Sequence, residues 1–335
     1  MKVVLSQLFE NYRIFIVDCE RLTEKVRQFG CNENLLLFLS KLQGNVTLQI
    51  MDENLQALIF EIQSSEASLI YASYLNLFKY IRAPFCKFEV SVEHTYLYRV
   101  RAHLEGDGNY FLDNINKLSF RQDIPNIRDF GRCNEPLQSR FYASDDQFIA
   151  LTEICNKVII EHKKETVYYT LSVWKFNDCL IIAPIFEPDN VNIENPNLTQ
   201  ITKKCFETIQ ANDRIPIKHD LKDFLKGVAE EFAKPISPNS KAYLFSAAYS
   251  NYLFNSTGEE NEKIDGIVYP TCVDKSNARG LGLNYVLNNS VIGFDSKIEF
   301  FGAHRLRLDK TVEGYKEVER IINRGFDKSN GRIEW

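Results

Sequence analysis

The chain has 335 residues, and its 40 Lys and Arg against 45 Asp and Glu give a formal net charge of −5. Only 10 Pro and 15 Gly occur, which excludes collagen-like chains and largely disordered ones. The acidic balance argues against direct binding of nucleic acid through phosphate neutralisation. No apolar run approaches the roughly 18 residues that span a bilayer, so we expect no membrane partner.

The first part of the chain is predicted to be mostly helical. Hydrophobic spacing indicates helices over 4–28, 33–43 and 54–82. Few side chains in these helices are suited to chemistry. We therefore predict a helical N-terminal region, 1–85, followed by a domain of different composition, 86–335.

The remaining elements alternate between strand and helix patterns. They are, in order, strands at 87–92, 95–102 and 139–143, a helix at 145–162, a hairpin of strands 166–175 and 179–185, helices at 198–211, 218–233 and 239–254, strands at 264–269 and 297–308, and a helix at 311–324. The helix predicted at 145–162 has Asp145 or Asp146 as its N-cap. Strands mixed with separate runs of helices predict an α+β fold.

Several common catalytic motifs are absent from the sequence. There is no G-x-x-x-x-G-K-[ST], H-E-x-x-H or G-x-S-x-G, and the G-x-G ending at Gly282 lacks the third glycine of the dinucleotide fold. The 5 His residues lack metal-ligand spacing, so we predict no metal. The 8 scattered cysteines form no C-x-x-C pair and the N-terminus has no signal-peptide pattern, which predicts a cytoplasmic protein.

One predicted strand carries several cations. Because side chains alternate along a strand, Arg99, Arg101 and His103 share one face. Guanidinium groups in this arrangement suit a phosphate or a carboxylate ligand. The alternative is the solvated face of a half-buried strand.

A second segment combines a turn with a short strand. Gly131-Arg132-Cys133-Asn134 precedes the strand that contains Tyr142. A turn with an arginine and an amide side chain suits ligand binding on a loop. The alternative is a surface loop followed by a core aromatic residue.

Two further segments offer polar groups in apolar surroundings. Glu153 follows Ile149 on one helical stripe, and a carboxylate in such a setting is a site candidate. The alternative is a solvated helix carboxylate. A buried strand ends at Thr271, and the Gly-rich turn after it includes Gly282 and Asn284. Hydroxyl and backbone N–H groups at a strand end can bind a ligand, although a plain strand and loop is the alternative.

Taken in order, these segments resemble the RES domain family over about residues 95–308. The matching motifs are Tyr98-Arg99-Val100, Gly131-Arg132-Cys133-Asn134, Phe141-Tyr142-Ala143, Ala150-Leu151-Thr152-Glu153, Asp265-Gly266-Ile267-Val268-Tyr269-Pro270 and Gly282-Leu283-Asn284. Two positions depart from the family pattern. Thr271 stands where the family has Ser, and the helix before the Asp-Gly strand lacks the family's Gln, in the segment that ends at Ala247.

The resemblance implies an ADP-ribosyltransferase-like fold, with a mixed or antiparallel sheet core and flanking helices. It implies cleavage of the nicotinamide–ribose bond of NAD⁺ and transfer of ADP-ribose to phosphate or water, without a metal. It also implies the toxin half of a toxin–antitoxin or defence system, with a small helix-turn-helix antitoxin as partner. Formation of a homo-oligomer stays open. The alternatives are a protein mono-ADP-ribosyltransferase and an inactive RES-like module that binds a nucleotide or a partner protein.

The resemblance assigns roles to individual residues. Glu153 would stabilise the positive charge that develops on the ribose, and Thr271 would hydrogen-bond the ribose or the acceptor. Arg99 would bind the pyrophosphate or the acceptor phosphate. The other implied binding residues are Arg101 and Arg132 as supporting cations, Tyr142 as a platform for nicotinamide, and Asn134, Gly282 and Asn284.

Overall fold

The computed structural model describes residues 67–90, 96–103, 112–124, 127–162, 166–189, 196–212, 217, 220–235, 237, 239–256, 263–271, 282–311 and 314–335. The predicted helices over 4–28 and 33–43 lie outside the described residues. Of the helix predicted over 54–82, the described part is helical from Ala67 to Tyr80. The division of the chain after residue 85 stays a prediction.

The described residues combine six α-helices and two short 3₁₀ helices, Ser240–Tyr243 and Asn289–Val291, with eleven strands. The helices are α1 (Ala67–Tyr80), α2 (Ile115–Leu118), α3 (Gln147–His162), α4 (Pro196–Ala211), α5 (Leu221–Ala233) and α6 (Leu244–Asn255). The strands are β1 (Phe88–Val90), β2 (Tyr96–His103), β3 (Phe141–Ser144), β4 (Thr166–Phe176), β5 (Leu180–Pro184), β6 (Gly266–Pro270), β7 (Leu283–Leu287), β8 (Ile298–Thr311), β9 (Gly314–Ile322), β10 (Gly325–Phe326) and β11 (Ile333–Glu334).

Nine of the strands form one sheet in the order β1-β5-β6-β7-β3-β2-β4-β8-β9, and β10 pairs with β11. Every described pair in the large sheet is antiparallel except the parallel pair of β5 and β6. A mostly antiparallel sheet with several helices agrees with the predicted α+β class.

The large sheet curls, because two strands close in the chain lie far apart in its order. β4 ends at Phe176 and β5 begins at Leu180, yet five strand spacings separate them. Five spacings of about 4.8 Å would span about 24 Å in a flat sheet, whereas four chain steps reach at most about 14 Å. Consistently, Trp174 and Ile182 share one core cluster. The predicted β4–β5 hairpin is therefore wrong, because β2 and β8 occupy both edges of β4.

Two other predicted elements need correction. The helix predicted over 311–324 is wrong, because this segment forms β9, which pairs with β8 from Thr311–Gly314 to His304–Ile322. Its many charged residues suit a helix, but the long edge of β8 offers backbone partners that a helix would leave unsatisfied. β7 was not predicted as a strand. All five of its residues are buried, and periodicity does not identify so short an apolar run.

Helix α1 packs against α6 within a core cluster that also includes residues of β5, β6 and β7. The Phe78 ring meets the Phe245 ring edge to face, with centroids 5.0 Å apart, and the Tyr249 ring at 5.1 Å. The Tyr249 hydroxyl donates to the carbonyl oxygen of Pro84 at 2.8 Å. Aromatic packing and a buried hydrogen bond therefore fix this helix on the described domain.

Candidate functional site

β2 and β3 separate after one pairing, and several predicted site residues meet at the opening. Tyr98 opposes Ser144, whereas β2 pairs with β4 along its whole length of 8 residues. Arg99 spans the opening, because Nη1 donates to the carbonyl oxygen of Tyr142 at 2.7 Å and Nε to that of Leu118 at 3.2 Å. A guanidinium thus satisfies two backbone carbonyl oxygens beside the opening, one on β3 and one at the end of α2.

The guanidinium of Arg99 keeps its charge in this setting. Burial, with a smaller contribution from the neighbouring Arg101, lowers the pKa of Arg99 to about 9. Protonation therefore persists at neutral pH. Its carbonyl partners carry no formal charge, and the Phe141 ring lies with its centroid 5.2 Å from the guanidinium carbon. The opening consequently holds a positive charge that these neighbours do not neutralise.

Two strand-end side chains meet the carboxylate of Glu153. Thr271 donates from Oγ1 to Oε1 of Glu153 at 2.8 Å, and Asn284 donates from Nδ2 to the same oxygen at 2.6 Å. Thr271 and Asn284 are buried and Glu153 is half-buried. Both donors are neutral, so they orient the carboxylate without cancelling its charge. Neither bond involves Oε2.

The secondary structure fixes both sides of this contact. Asp146, not Asp145, caps α3, because its Oδ1 accepts from the N–H groups of Phe148 and Ile149 at 2.7 and 3.1 Å. Glu153 follows within the next two turns. On the sheet side, Tyr269 opposes Asn284 in the β6–β7 ladder. Opposed side chains share a face of the sheet, and so do side chains two positions apart on one strand. Thr271 is two positions after Tyr269, so it lies on the same face as Asn284.

Gly282 closes the ends of β6 and β7. The N–H group of Thr271 donates to the carbonyl oxygen of Gly282 at 2.8 Å. Gly282 has a φ of 75°, a left-handed conformation that glycine adopts without steric cost. Gly282 therefore sets the backbone that presents Thr271 and does not itself supply a side chain to the site.

The turn before β3 holds the hydroxyl of Tyr142. This hydroxyl donates to Oδ1 of Asn134 at 2.8 Å and accepts from the N–H group of Cys133 at 2.9 Å. Burial raises the pKa of Tyr142 well above its usual value. A Cβ atom on Gly131 would lie 2.3 Å from Oδ1 of Asn134, so any larger residue here would displace the Asn134 side chain. Asn134 is thus placed as a support for the ring of Tyr142.

Two cavities meet at Arg99 and Tyr142, which line both. The smaller cavity, of about 70 Å³, lies beside Glu153 and Asn284. The larger cavity, of about 270 Å³, is rich in guanidinium groups, which come from Arg99, Arg121, Arg128 and Arg140. Glu153 therefore lines the smaller cavity, and a group of arginines lines the larger one.

Two predicted cations make other contacts. Arg132 donates to the carbonyl oxygens at the end of α5, those of Glu231 at 3.4 Å, of Phe232, and of Lys234 at 2.6 Å. It thus caps a helix C-terminus. Arg101 donates to the carbonyl oxygen of Lys117 at 2.5 Å. Neither arginine is among the described residues that line the two cavities.

Arg140, to which the sequence motifs assign no role, also lines the larger cavity. Its Nη2 donates to Oδ1 of Asn251 at 3.1 Å, its Nη1 donates to Oδ1 of Asn288, and its guanidinium carbon lies 4.0 Å from the centroid of the Phe254 ring. Burial is the main cause that lowers the pKa of Arg140. A signal was present, because Arg140 stands two positions before Tyr142 and therefore on the same side of an extended chain.

The described residues were also compared with the requirements of a metal site and of a membrane-spanning helix. No cluster of three or more His, Cys, Asp or Glu residues suited to a metal ion occurs within the described ranges. Within those ranges, too, every helix is too short or too polar to cross a membrane. No model of a protein family, no curated protein and no solved structure matches the chain.

Proposed function

We propose that the protein degrades NAD⁺ by cleaving the nicotinamide–ribose bond and transferring ADP-ribose to phosphate or water. The observation that carries this proposal is the contact of Thr271 and Asn284 with Glu153. The three residues come from separate segments of the RES resemblance. Thr271 and Asn284 follow Glu153 by 118 and 131 positions in the chain, yet both donate to the same oxygen of its carboxylate.

The carboxylate suits the charge that such a reaction develops. When nicotinamide departs, the ribose acquires oxocarbenium character, and a nearby anion stabilises it. At an effective dielectric constant of 20, a carboxylate about 4 Å away contributes about 4 kcal/mol. That energy corresponds to a rate factor on the order of a thousand. Neutral donors to Glu153 leave this charge available.

The cations suit the other end of the substrate. The pyrophosphate of NAD⁺ carries two negative charges, and guanidinium groups bind phosphate oxygens in pairs. Arg99 and Arg140 face the larger cavity, and their hydrogen-bond partners are carbonyl and amide oxygens rather than carboxylates. In this proposal Tyr142, which lines both cavities, stacks on nicotinamide.

The proposed architecture and biological role follow from the same resemblance. The proposed fold is ADP-ribosyltransferase-like. The mostly antiparallel sheet and the opening between β2 and β3 support this proposal. A toxin of this kind would need a partner that blocks the opening, for which a helix-turn-helix antitoxin is the proposed class. Thr271 keeps the hydroxyl of the family's Ser, and this hydroxyl donates to Glu153.

Incubation of the purified protein with NAD⁺, with and without inorganic phosphate, tests the activity. We expect release of free nicotinamide, and the second product identifies the acceptor as phosphate or water. Label transferred from NAD⁺ to added protein, without free ADP-ribose, would indicate a protein mono-ADP-ribosyltransferase. Binding of NAD⁺ without any nicotinamide release would overturn the proposal and leave a binding module.

A further inference from the structure

A third cavity, of about 310 Å³, lies at the end of β2 that is farther from the candidate site. Residues of β2, β4, β8 and β9 line it, among them His103, Tyr168, Arg305, Arg307, Glu319 and Ile321. None of these six residues is among the described residues that line the two cavities of the candidate site. Two arginines in one cavity indicate an anionic ligand.

Strand register places the polar side chains of this cavity on one face. His103 opposes Tyr168, which opposes Arg307, which in turn opposes Glu319. Directly opposed residues of antiparallel strands project to the same side. Arg305, two positions before Arg307, projects with them. The cavity therefore has a row of four polar groups across four strands and a second arginine beside it.

This face is the one turned away from Glu153. Tyr169 and Leu306 alternate with the cavity's polar residues, and they belong to the core cluster that contains Ala150 of α3. Along β2, His103 is four residues beyond Arg99, a distance of about 13 Å in an extended strand. A ligand in this cavity would therefore occupy a different place from one at the opening between β2 and β3.

Arg307 is only loosely held by its carboxylate neighbours. Its Nη2 lies 3.5 Å from Asp309 and its Nη1 lies 3.6 Å from Glu319, whereas strong charge-assisted bonds measure about 2.7–2.9 Å. The Arg307 and Glu319 side chains are 37% and 48% exposed, which weakens such a pair further. The Nε atom of Arg307 is buried and has no hydrogen-bond partner among the described residues.

Arg305 is held rigidly by an aromatic ring. Its guanidinium carbon lies 3.6 Å from the centroid of the Trp335 ring, a stacking contact that orients the planar group. Burial is the main cause that lowers the pKa of Arg305, to about 10, so the side chain is charged at neutral pH. The cavity thus combines one fixed cation with one whose carboxylate contacts are long.

We propose that this cavity binds a dianionic phosphate group through Arg305 and Arg307. The aromatic ring of Tyr168 provides a further contact for an aromatic part of the ligand. The cavity volume is at the lower end of ligand pockets, which favours a mononucleotide over a dinucleotide. Two sources share this chemistry, a nucleoside monophosphate and inorganic phosphate. The inference does not depend on the proposed NAD⁺ chemistry.

Isothermal titration calorimetry with AMP and, separately, with inorganic phosphate tests the site. We expect Arg307→Gln to weaken phosphate-group binding at least tenfold, because a charge-assisted contact is lost. Arg320→Gln is the matched control, since Arg320 follows Glu319 on the same strand, projects to the opposite face and pairs with Glu317 at 2.7 Å. Glu319→Gln should tighten binding, because it removes the carboxylate that competes for Arg307.

The outcomes distinguish a nucleoside monophosphate from inorganic phosphate, and binding in this cavity from binding elsewhere on the protein. AMP binding much tighter than phosphate binding identifies a nucleoside monophosphate, and equal affinities identify inorganic phosphate as the ligand. Absence of binding by both probes at millimolar concentration overturns the proposal. So does AMP binding that Arg307→Gln leaves unchanged, since the ligand would then lie elsewhere. Should Arg307→Gln fail to fold, unchanged affinity in Glu319→Gln overturns it instead.

Discussion

Arg99 binds the backbone of Tyr142 rather than its side chain, with Nη1 2.7 Å from the carbonyl oxygen. This contact makes Arg99 part of the fold as well as of the lining of the larger cavity. It also changes how a substitution at this position must be interpreted, because loss of activity alone would not separate a binding role from a structural one.

We therefore predict that Arg99→Met destabilises the protein. Two partly buried hydrogen bonds to carbonyl oxygens lose their charged donor, and each such bond contributes about 1.5–3 kcal/mol, so we expect the free energy of unfolding to fall by about 3–6 kcal/mol. Urea denaturation measures this change. Arg101→Met is the control, since Arg101 makes an exposed bond to Lys117, and its loss should cost about 1 kcal/mol or less. Equal midpoints for the two variants would contradict the structural role.

Gly131 gives a second prediction, which concerns the support of Tyr142. In Gly131→Ala the new Cβ would lie 2.3 Å from Oδ1 of Asn134, so this side chain must move and give up the Tyr142 hydroxyl. We expect a loss of about 1–3 kcal/mol in the free energy of unfolding and a higher KM for NAD⁺.

Gly325→Ala is the matched control for this change, because the nearest atom to its new Cβ would be 3.5 Å away. Thermal denaturation of both variants provides the comparison. A Gly131→Ala protein as stable as Gly325→Ala would show that the Asn134 contact does not hold the ring of Tyr142.

Sequence patterns predicted the individual strands better than they predicted which strands pair in the sheet. Alternation identified β4 and β5, but their short connection suggested a hairpin, although β4 pairs with β2 and β8. Pairing of this kind depends on residues far away in the chain, which local periodicity does not register. The same reason explains β9, whose charged residues suit a helix and whose place in the sheet is set by the edge of β8.

The predicted site shows a similar division. The resemblance grouped Glu153, Thr271 and Asn284, and the structure brings these three side chains into contact. It also grouped Arg132 with them, whereas this side chain caps α5. A motif records which residues occur together, but whether a long cationic side chain faces a cavity or a helix end depends on tertiary packing. Tertiary packing likewise places Arg140, which is outside the matching motifs, in the lining of the larger cavity.

Thr271 allows a prediction that separates its hydroxyl from its methyl group. Thr271→Val keeps the shape but leaves Glu153 with one donor fewer, so we expect kcat/KM for NAD⁺ to fall about tenfold, the effect of one net hydrogen bond. Thr271→Ser keeps the hydroxyl and should retain most of the activity. Nicotinamide release measures both. Equal activities of Thr271→Val and wild type would exclude a role for the hydroxyl.

Glu153→Gln tests the central feature of the proposed mechanism, the charge near the ribose. The amide oxygen of Gln can still accept from Thr271 and Asn284, so the fold should be retained, whereas the negative charge is lost. We expect kcat/KM for nicotinamide release to fall on the order of a thousand-fold, with a thermal midpoint close to wild type.

Glu207→Gln is the matched control, since Glu207 is an exposed carboxylate on helix α4, and it should leave both the activity and the thermal midpoint unchanged. Full activity in a folded Glu153→Gln protein would contradict charge stabilisation. Equal losses in Glu153→Gln and Glu207→Gln would attribute the effect to the net charge of the protein instead. Loss confined to Glu153→Gln, with its fold intact, places the decisive negative charge on this one side chain.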